Sequence, residues 1–206
     1  MNNKCRLCRR ASEKLFLKGD RCATPKCAMV KRNYVPGFHG PKASRRRLSD
    51  YGSQLAEKQK MKRMYGLREK QFRLIFEKAA KKSGDAGKNF LRALEMRLDN
   101  VVYRLGWATS RSAARQLVNH GHFIVNDRKV DIPSFTVKVG QIVKAKKSSL
   151  NNRYFKTAAE RLKKSERPSW LNLETDGLLS KVLHEPKDGD LPQNVNAQVI
   201  IEYYSK

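Results

Sequence analysis

The chain has 206 residues, 45 of them Lys or Arg against 19 Asp or Glu, which leaves a formal charge of +26 and a pI near 10.3. A field of that strength steers polyanions and exceeds what an ordinary enzyme surface needs, so nucleic acid is the leading partner and acidic membrane the second. No apolar run approaches the roughly 18 residues of a spanning helix and none follows the basic start as a signal sequence would, which predicts no membrane partner and a soluble protein of the reducing cytoplasm.

Residues 1–33 hold all four cysteines and show no sustained periodicity, the pattern of a loop-rich unit that needs a staple. Cys5, Cys8, Cys22 and Cys27 follow C-x2-C-x13-C-x4-C. Two close pairs across a loop are what a tetrahedral metal requires, because each pair delivers two thiolates from one side of the ion. Structural zinc is the favoured cofactor, with an iron–sulfur cluster or four reduced thiols as the alternatives; a reducing compartment argues against disulfides. Lys4, Arg6, Arg9, Arg10, Arg21 and Lys26 surround the cysteines and would stabilise the thiolates while facing outward. A closed four-sulfur shell leaves no open position for substrate, so the role would be structural.

Residues 34–47, punctuated by Pro36, Gly37, Gly40 and Pro41, read as a loop or arm ending in Arg45, Arg46 and Arg47, which are candidate phosphate contacts. A helix is predicted from Leu48, capped by Ser49 or Asp50, and it carries Lys58, Lys62 and Arg63 as further RNA-binding candidates. A second helix follows with Phe72, Ile75, Phe76 and Ala79 at spacing three and four, and Gly84 and Gly87 end it. A single third helix over 88–106 puts Leu91, Leu94, Leu98, Val101, Val102 and Leu105 on one stripe and closes at Gly106.

The fourth helix starts at an N-cap Ser110, turns Ala114, Leu117 and Val118 inward, and stops at Gly121. Its other side is rich in donors: Arg111, Arg115 and Asn119 form one row, and Ser112, Gln116 and His120 the next. A hairpin around Asn126-Asp127 then adds Arg128 and Lys129. Donors without carboxylate neighbours suit phosphate oxygens and ribose hydroxyls, although a solvated charged face is the bland alternative. His120 and His122 flank Gly121 without a thiol or carboxylate partner nearby, which argues for hydrogen bonding rather than metal ligation.

Phe135, Val137 and Val139 alternate before Gly140, and the following "IVKAK" is predicted to pair with them. Residues 151–165 suit a polar surface helix stopped by Pro168. Two short strands are expected across Thr175-Asp176-Gly177, and the last eleven residues read as a helix capped by Asn196 or as a strand. Residues 169–206 hold three basic and six acidic side chains, so the nucleic-acid surface is placed upstream of them. No nucleotide-binding loop, nucleophile elbow or paired acidic constellation is present, and the chain is read as a non-enzyme.

"YGLREKQFR" (65–73), the stretch from "LRALEMRLDNVVYRLG" through "HGHFIVNDRKVDI" to "VGQIV" (91–143), the four-cysteine start and the terminal "VIIEYYSK" together resemble the bacterial-type family of small-subunit ribosomal protein four, in its zinc-binding form. The resemblance implies an α+β fold: a mainly helical N-terminal domain with the zinc knuckle, and an inserted RNA-binding module of helices packed on a small antiparallel sheet. Its domains would be 1–47 (knuckle and basic arm), 48–93 (helical part), 94–170 (module) and 171–206 (a tail returning to the N-terminal domain). It implies binding to the five-prime domain of small-subunit ribosomal RNA, nucleation of subunit assembly, contact with neighbouring small-subunit proteins and especially protein five at an interface linked to translational accuracy, and a position near the path of messenger RNA. The module's RNA-facing residues would correspond to Arg97, Ser110, Arg111, Arg115, Gln116, Asn119, His120, Asn126 and Lys129. Asn126-Asp127 stands where the family has Asn-Gly, and Gly140-Gln141 where it has Gly-Asp; both departures touch turns. An RNA-modifying enzyme carrying the same module and a zinc-dependent duplex-DNA binder are the competing functions.

Overall fold

The computed structural model describes residues 4–42, 48–162, 168–174 and 178–205. In chain order the elements open with α1 (Lys4–Ala11), α2 (Ala28–Lys31), α3 (Asp50–Met64) and α4 (Glu69–Ala80). They continue with α5 (Ala86–Glu95), α6 (Leu98–Arg104) and α7 (Arg111–Asn119), then β1 (Phe123–Val125), β2 (Arg128–Lys129) and β3 (Ile142–Ala145). The chain closes with α8 (Lys147–Leu150), α9 (Arg153–Leu162), β4 (Leu171–Glu174), β5 (Leu179–Val182) and α10 (Ala197–Ser205). These divide into two units, Met1–Glu77 with Asn194–Lys206, and Lys78–Gln193.

The first unit is helical. Ser49 caps α3, its Oγ accepting from the Gly52 N–H at 3.2 Å. Met61, Met64, Phe72 and Phe76 are buried, and α10 completes this core with Ile200 buried and Tyr204 stacked on Phe76 at 4.6 Å. The helix-or-strand ambiguity of the last residues resolves as helix, with Asn196 Oδ1 accepting from the Val199 N–H at 3.3 Å. Lys58 Nζ donates to Glu69 Oε1 at 2.7 Å and Lys62 Nζ to Oε2 at 2.6 Å. Burial pushes the Glu69 carboxyl up, but the two lysine hydrogen bonds and charges outweigh it and hold the group down to about 2. Tyr204 Oη also donates to Glu69 at 3.2 Å, and burial together with the Glu69 charge raises the phenol far above its ordinary value.

In the second unit the sheet runs β2-β1-β3-β5-β4 with every neighbour antiparallel. Trp107, Phe123, Phe155, Leu98, Leu105 and Val143 are fully buried between helices and sheet. Trp107 and Phe123 lie nearly parallel with centroids 5.6 Å apart, and Phe155 meets Phe123 edge-on at 6.1 Å. Helices over a small antiparallel sheet are the α+β architecture that the resemblance implies.

Four expectations change. The single helix over 88–106 is two: α5 starts at Ala86 behind an Asp85 cap, takes Gly87 into its interior, and ends at Glu95. The chain then turns extended at Arg97 because Met96 O accepts from Val137 N at 2.9 Å, Leu98 N donates to Phe135 O at 2.8 Å and Arg97 bridges Thr136. Residues 135–137 therefore pair with this break and not with "IVKAK", which forms β3 between β1 and β5. The segment 151–165 is more than a polar surface helix, since α9 buries Phe155 and Ala158. Residues 78–93 fall in the second unit, and of the tail 171–206 only 194–206 fall in the first, because β4 and β5 extend the module's sheet. Thr175-Asp176-Gly177 lies outside the described residues.

Candidate nucleic-acid interface

The donor stripe stands on α7. Ser110 adopts extended backbone and its Oγ accepts from the Ala113 N–H at 3.3 Å, which fixes where the helix starts. Ala114 and Val118 are fully buried, so α7 has a defined rotation about its axis. That leaves Ser112, Gln116, Asn119 and His120 exposed and Arg111 and Arg115 half-buried along one side.

Both arginines are held from below by the break between α5 and α6. Asp99, 3% exposed, accepts from Arg97 Nε and Nη2 at 3.1 and 2.9 Å and from Arg115 Nε and Nη2 at 3.1 and 2.7 Å. Asn100 Oδ1 accepts from Arg111 Nε at 2.8 Å, and the Arg111 guanidinium lies over the Tyr103 ring at 4.6 Å. Asn100 is anchored in turn through Nδ2 to Glu95 Oε2 at 2.8 Å. Glu95, fully buried, takes a bidentate pair from Arg104 at 2.8 and 2.8 Å. Two adjacent buried sets, Asp99 with Arg97 and Arg115, and Asn100 and Glu95 with Arg111 and Arg104, thus orient the cations of α7, so part of their ordering entropy is spent on folding before any ligand arrives.

The hairpin adds the remaining donors. Asn126 and Asp127 take φ of 44° and 68°, the two left-handed positions of a type I′ turn, which Asn and Asp tolerate better than other non-glycine residues. Asn126 Oδ1 accepts from the Ile142 N–H at 2.9 Å and Asp127 pairs with Lys144, so the turn is tied to β3. Arg128 and Lys129 are exposed on β2, the edge strand. The Lys129 stem crosses Gly121 so closely that a Cβ there would come 2.3 Å from Cε. That flexible, exposed stem could swing aside, so it is the backbone at φ +69°, where α7 ends, that calls for glycine at 121.

His122 Nδ1 sits 2.9 Å from Ser149 Oγ. Burial, then the charges of His120 and Lys146, lower its pKa and favour the neutral ring. The two histidine rings are 6.1 Å apart.

Several predicted contact residues lie elsewhere. Arg97 (5% exposed) and Ser110 are buried and bonded within the chain, unlike the exposed surface that the RNA-facing role expected of them calls for. In the first unit Lys58 is buried on Glu69 and lies 4.3 Å from the Tyr203 ring centroid, and Lys62 shares that carboxylate, so both act in folding. Arg63 is half-buried, where burial and the Arg10 charge press on its guanidinium. Arg45, Arg46 and Arg47 lie outside the described residues. Asp99, Asn100 and Glu95 were not anticipated; the signal available was two acids and an amide inside the basic run "RALEMRLDNVVYR".

The four cysteines are the candidate metal centre. Cys5 and Cys8 lie one turn apart on α1, while Cys8, Cys22 and Cys27 are buried. Burial pushes the Cys8 thiol up, and the other three sulfurs are near enough to raise it further. Lys18 N–H donates to Cys22 Sγ at 3.4 Å. The donor chemistry suits a soft divalent ion. Among the described residues, however, no three Cys, His, Asp or Glu side chains are arranged to hold one. Among the described residues, too, no helix is long and apolar enough to cross a membrane.

Comparison with known proteins adds the lineage of this arrangement. Residues 1–95 match the model of the ribosomal protein S4/S9 N-terminal domain, and residues 96–143 that of the S4 domain. Small ribosomal subunit protein uS4A of Clostridium perfringens strain SM101 is 54% identical over 202 residues, spanning 98% of this chain and 96% of the relative. Small ribosomal subunit protein uS4 of Clostridioides difficile is 52% identical, and uS4A of Clostridium acetobutylicum 50% identical, over the same shares. With near-complete coverage at such identity, and a buried-carboxylate scaffold under a cationic helix and hairpin, the chain belongs to the uS4 family of small ribosomal subunit proteins.

Proposed function

We propose that this chain is a structural, non-catalytic constituent of the small ribosomal subunit in the cytoplasm, binding the five-prime domain of its ribosomal RNA and nucleating assembly there. The observation that carries this reading is the pre-oriented stripe of Arg111, Arg115 and Gln116 beside Arg128 and Lys129, a donor surface whose geometry is fixed by buried Asp99 and Asn100. Lys and Arg neutralise crowded phosphates, and the rigid helix and hairpin select one arrangement of RNA helices by shape. Contact with ribosomal protein five, an influence on translational accuracy and a place near incoming messenger RNA belong to the same proposal, on family grounds.

The test is footprinting of the purified protein on naked small-subunit ribosomal RNA across a salt series. With roughly 6–10 phosphates neutralised, affinity is expected to drop by about 10³–10⁵ between 50 and 200 mM salt, with protection confined to one junction of the five-prime domain. A flat salt profile or scattered protection would count against it.

Structural zinc on Cys5, Cys8, Cys22 and Cys27 is part of the proposal, supported by their spacing and by the burial of Cys8, Cys22 and Cys27. When bound, the ion would supply folding energy to the first forty or so residues and no chemistry. Purified protein is expected to carry about one zinc per chain by elemental analysis, and chelation is expected to reduce helical circular dichroism from the N-terminal segment while leaving the helix-hairpin unit folded. Identical spectra with and without chelator would remove zinc from the account.

A further inference from the structure

We propose that Phe38 stacks on an unpaired nucleobase of the ribosomal RNA, an apolar contact that adds affinity without neutralising any phosphate. This rests on the RNA-binding reading above and adds base contact to a reading built on the RNA backbone. Phe38 is 94% exposed; among the described residues the next most exposed large hydrophobic side chain, Leu48, stands at 60%. A single apolar side chain in water is ordinary. The loop built beneath this one is not.

That loop is tied down on both sides of the ring. Arg9 on α1 donates from Nε to Tyr34 O at 2.8 Å and from Nη2 to Val35 O at 3.3 Å, and lies over the Tyr34 ring at 4.6 Å, which binds the start of the loop to the helix. Gly37 takes φ +124°, and its carbonyl accepts from the Gly40 N–H at 3.1 Å, closing a turn with Phe38 and His39 at the central positions. At Gly40 a Cβ would lie 1.9 Å from Val35 O, a backbone approach that only glycine permits. Pro36 and Pro41 restrict the chain further, and the Lys42 N–H donates to His39 O at 3.2 Å. The His39 ring meets Phe38 edge-on at 5.2 Å, and the high exposure leaves the phenyl face open. The ordering cost of presenting an aromatic face is thus met by folding.

The surroundings select the partner. A protein-binding anchor sits inside an apolar surround that excludes water. Phe38 instead sits between Gly37 and His39 in a segment, residues 31–42, that carries Lys31, Arg32 and Lys42, all exposed, and no acid. Aromatic rings interleaved with cations suit nucleotides outside a duplex, whose bases are free to stack while the cations meet their phosphates. Bases within a duplex are already stacked, so the ligand is an unpaired base.

The experiment compares full-length wild type, F38A, F38L and F38W on naked small-subunit ribosomal RNA across a salt series, with circular dichroism confirming the fold. Stacking releases no counterion, so F38A is expected to weaken binding by about 5- to 150-fold with the slope of log affinity against log salt unchanged. F38L keeps apolar bulk without a π face and is expected to bind like F38A, whereas F38W is expected to bind at least as tightly as wild type. Ultraviolet irradiation of the wild-type complex is expected to crosslink Phe38 to a base, read by mass spectrometry. Wild-type affinity in F38A, or full rescue by F38L, would overturn the stacking contact alone, provided the wild type binds with a steep slope. An F38A defect that appears only when the other small-subunit proteins are present would assign the ring to a protein partner and overturn it too. If the wild type itself shows no salt-dependent binding, the broader functional reading falls.

Discussion

Replacing Asp99 by alanine is expected to destabilise the second unit by about 3–5 kcal/mol, the range for breaking a buried ion pair from one side. Asp99 accepts four hydrogen-bond contacts from two guanidiniums, and Arg97, 5% exposed, has no route to water that would compensate for losing its partner. The cost is therefore dominated by a stranded buried cation, not by the lost attraction itself. Urea unfolding followed through Trp107 and Trp170, both in this unit, measures it. Asp99→Asn keeps the shape and one acceptor oxygen and should cost less, yet it should still weaken RNA binding, because Arg115 loses the charge that aims it. A loss below about 1 kcal/mol for the alanine variant would place the pair in the class of solvent-relaxed bridges and contradict the scaffold described here.

Phe123→Ala is expected to cost a further about 3–5 kcal/mol by the same measurement, from lost transfer energy and the cavity left behind. Phe123 is fully buried on β1, parallel to Trp107 and edge-on to Phe155, so it joins the sheet to both α9 and the loop that precedes α7. Neither flanking ring can collapse far into the space: Trp107 and Phe155 are themselves at 0% and 1% exposure. The hairpin amides around Val125 and Arg128 should exchange faster in this variant, since β1 is what ties the hairpin to the core. A change of less than 1 kcal/mol would mean the aromatic cluster does not set the position of the hairpin.

Local signals in the sequence were enough wherever a short stretch decided its own structure. Ser49 and Ser110 cap helices as their side chains and positions require, and the φ values of Asn126-Asp127 show a two-residue turn surviving the loss of its usual glycine. The failures share one cause, partners distant in sequence. The helix breaks at Arg97 because residues 135 and 137 offer hydrogen bonds to Leu98 N and Met96 O, and no periodicity over 88–106 contains that competitor. Lys58 and Lys62 look like free cations until Glu69, eleven and seven residues on, is brought against both. The cationic stripe of α7 was visible as spacing, whereas its orientation depends on Asp99, sixteen residues before Arg115. Two acids and an amide among the arginines of residues 92–104 were the available clue, and they mark structural partners.

The central claim is that cations fixed on one helix-and-hairpin platform grip the backbone of folded RNA. The most direct measurement is the affinity of R111Q/R115Q/K129Q for small-subunit ribosomal RNA across a salt series, with circular dichroism confirming a folded variant. The account predicts affinity lower by at least tenfold at moderate salt and a slope shallower by about 2–3, one unit per lost phosphate contact. A folded variant that binds with the wild-type affinity and slope would contradict it.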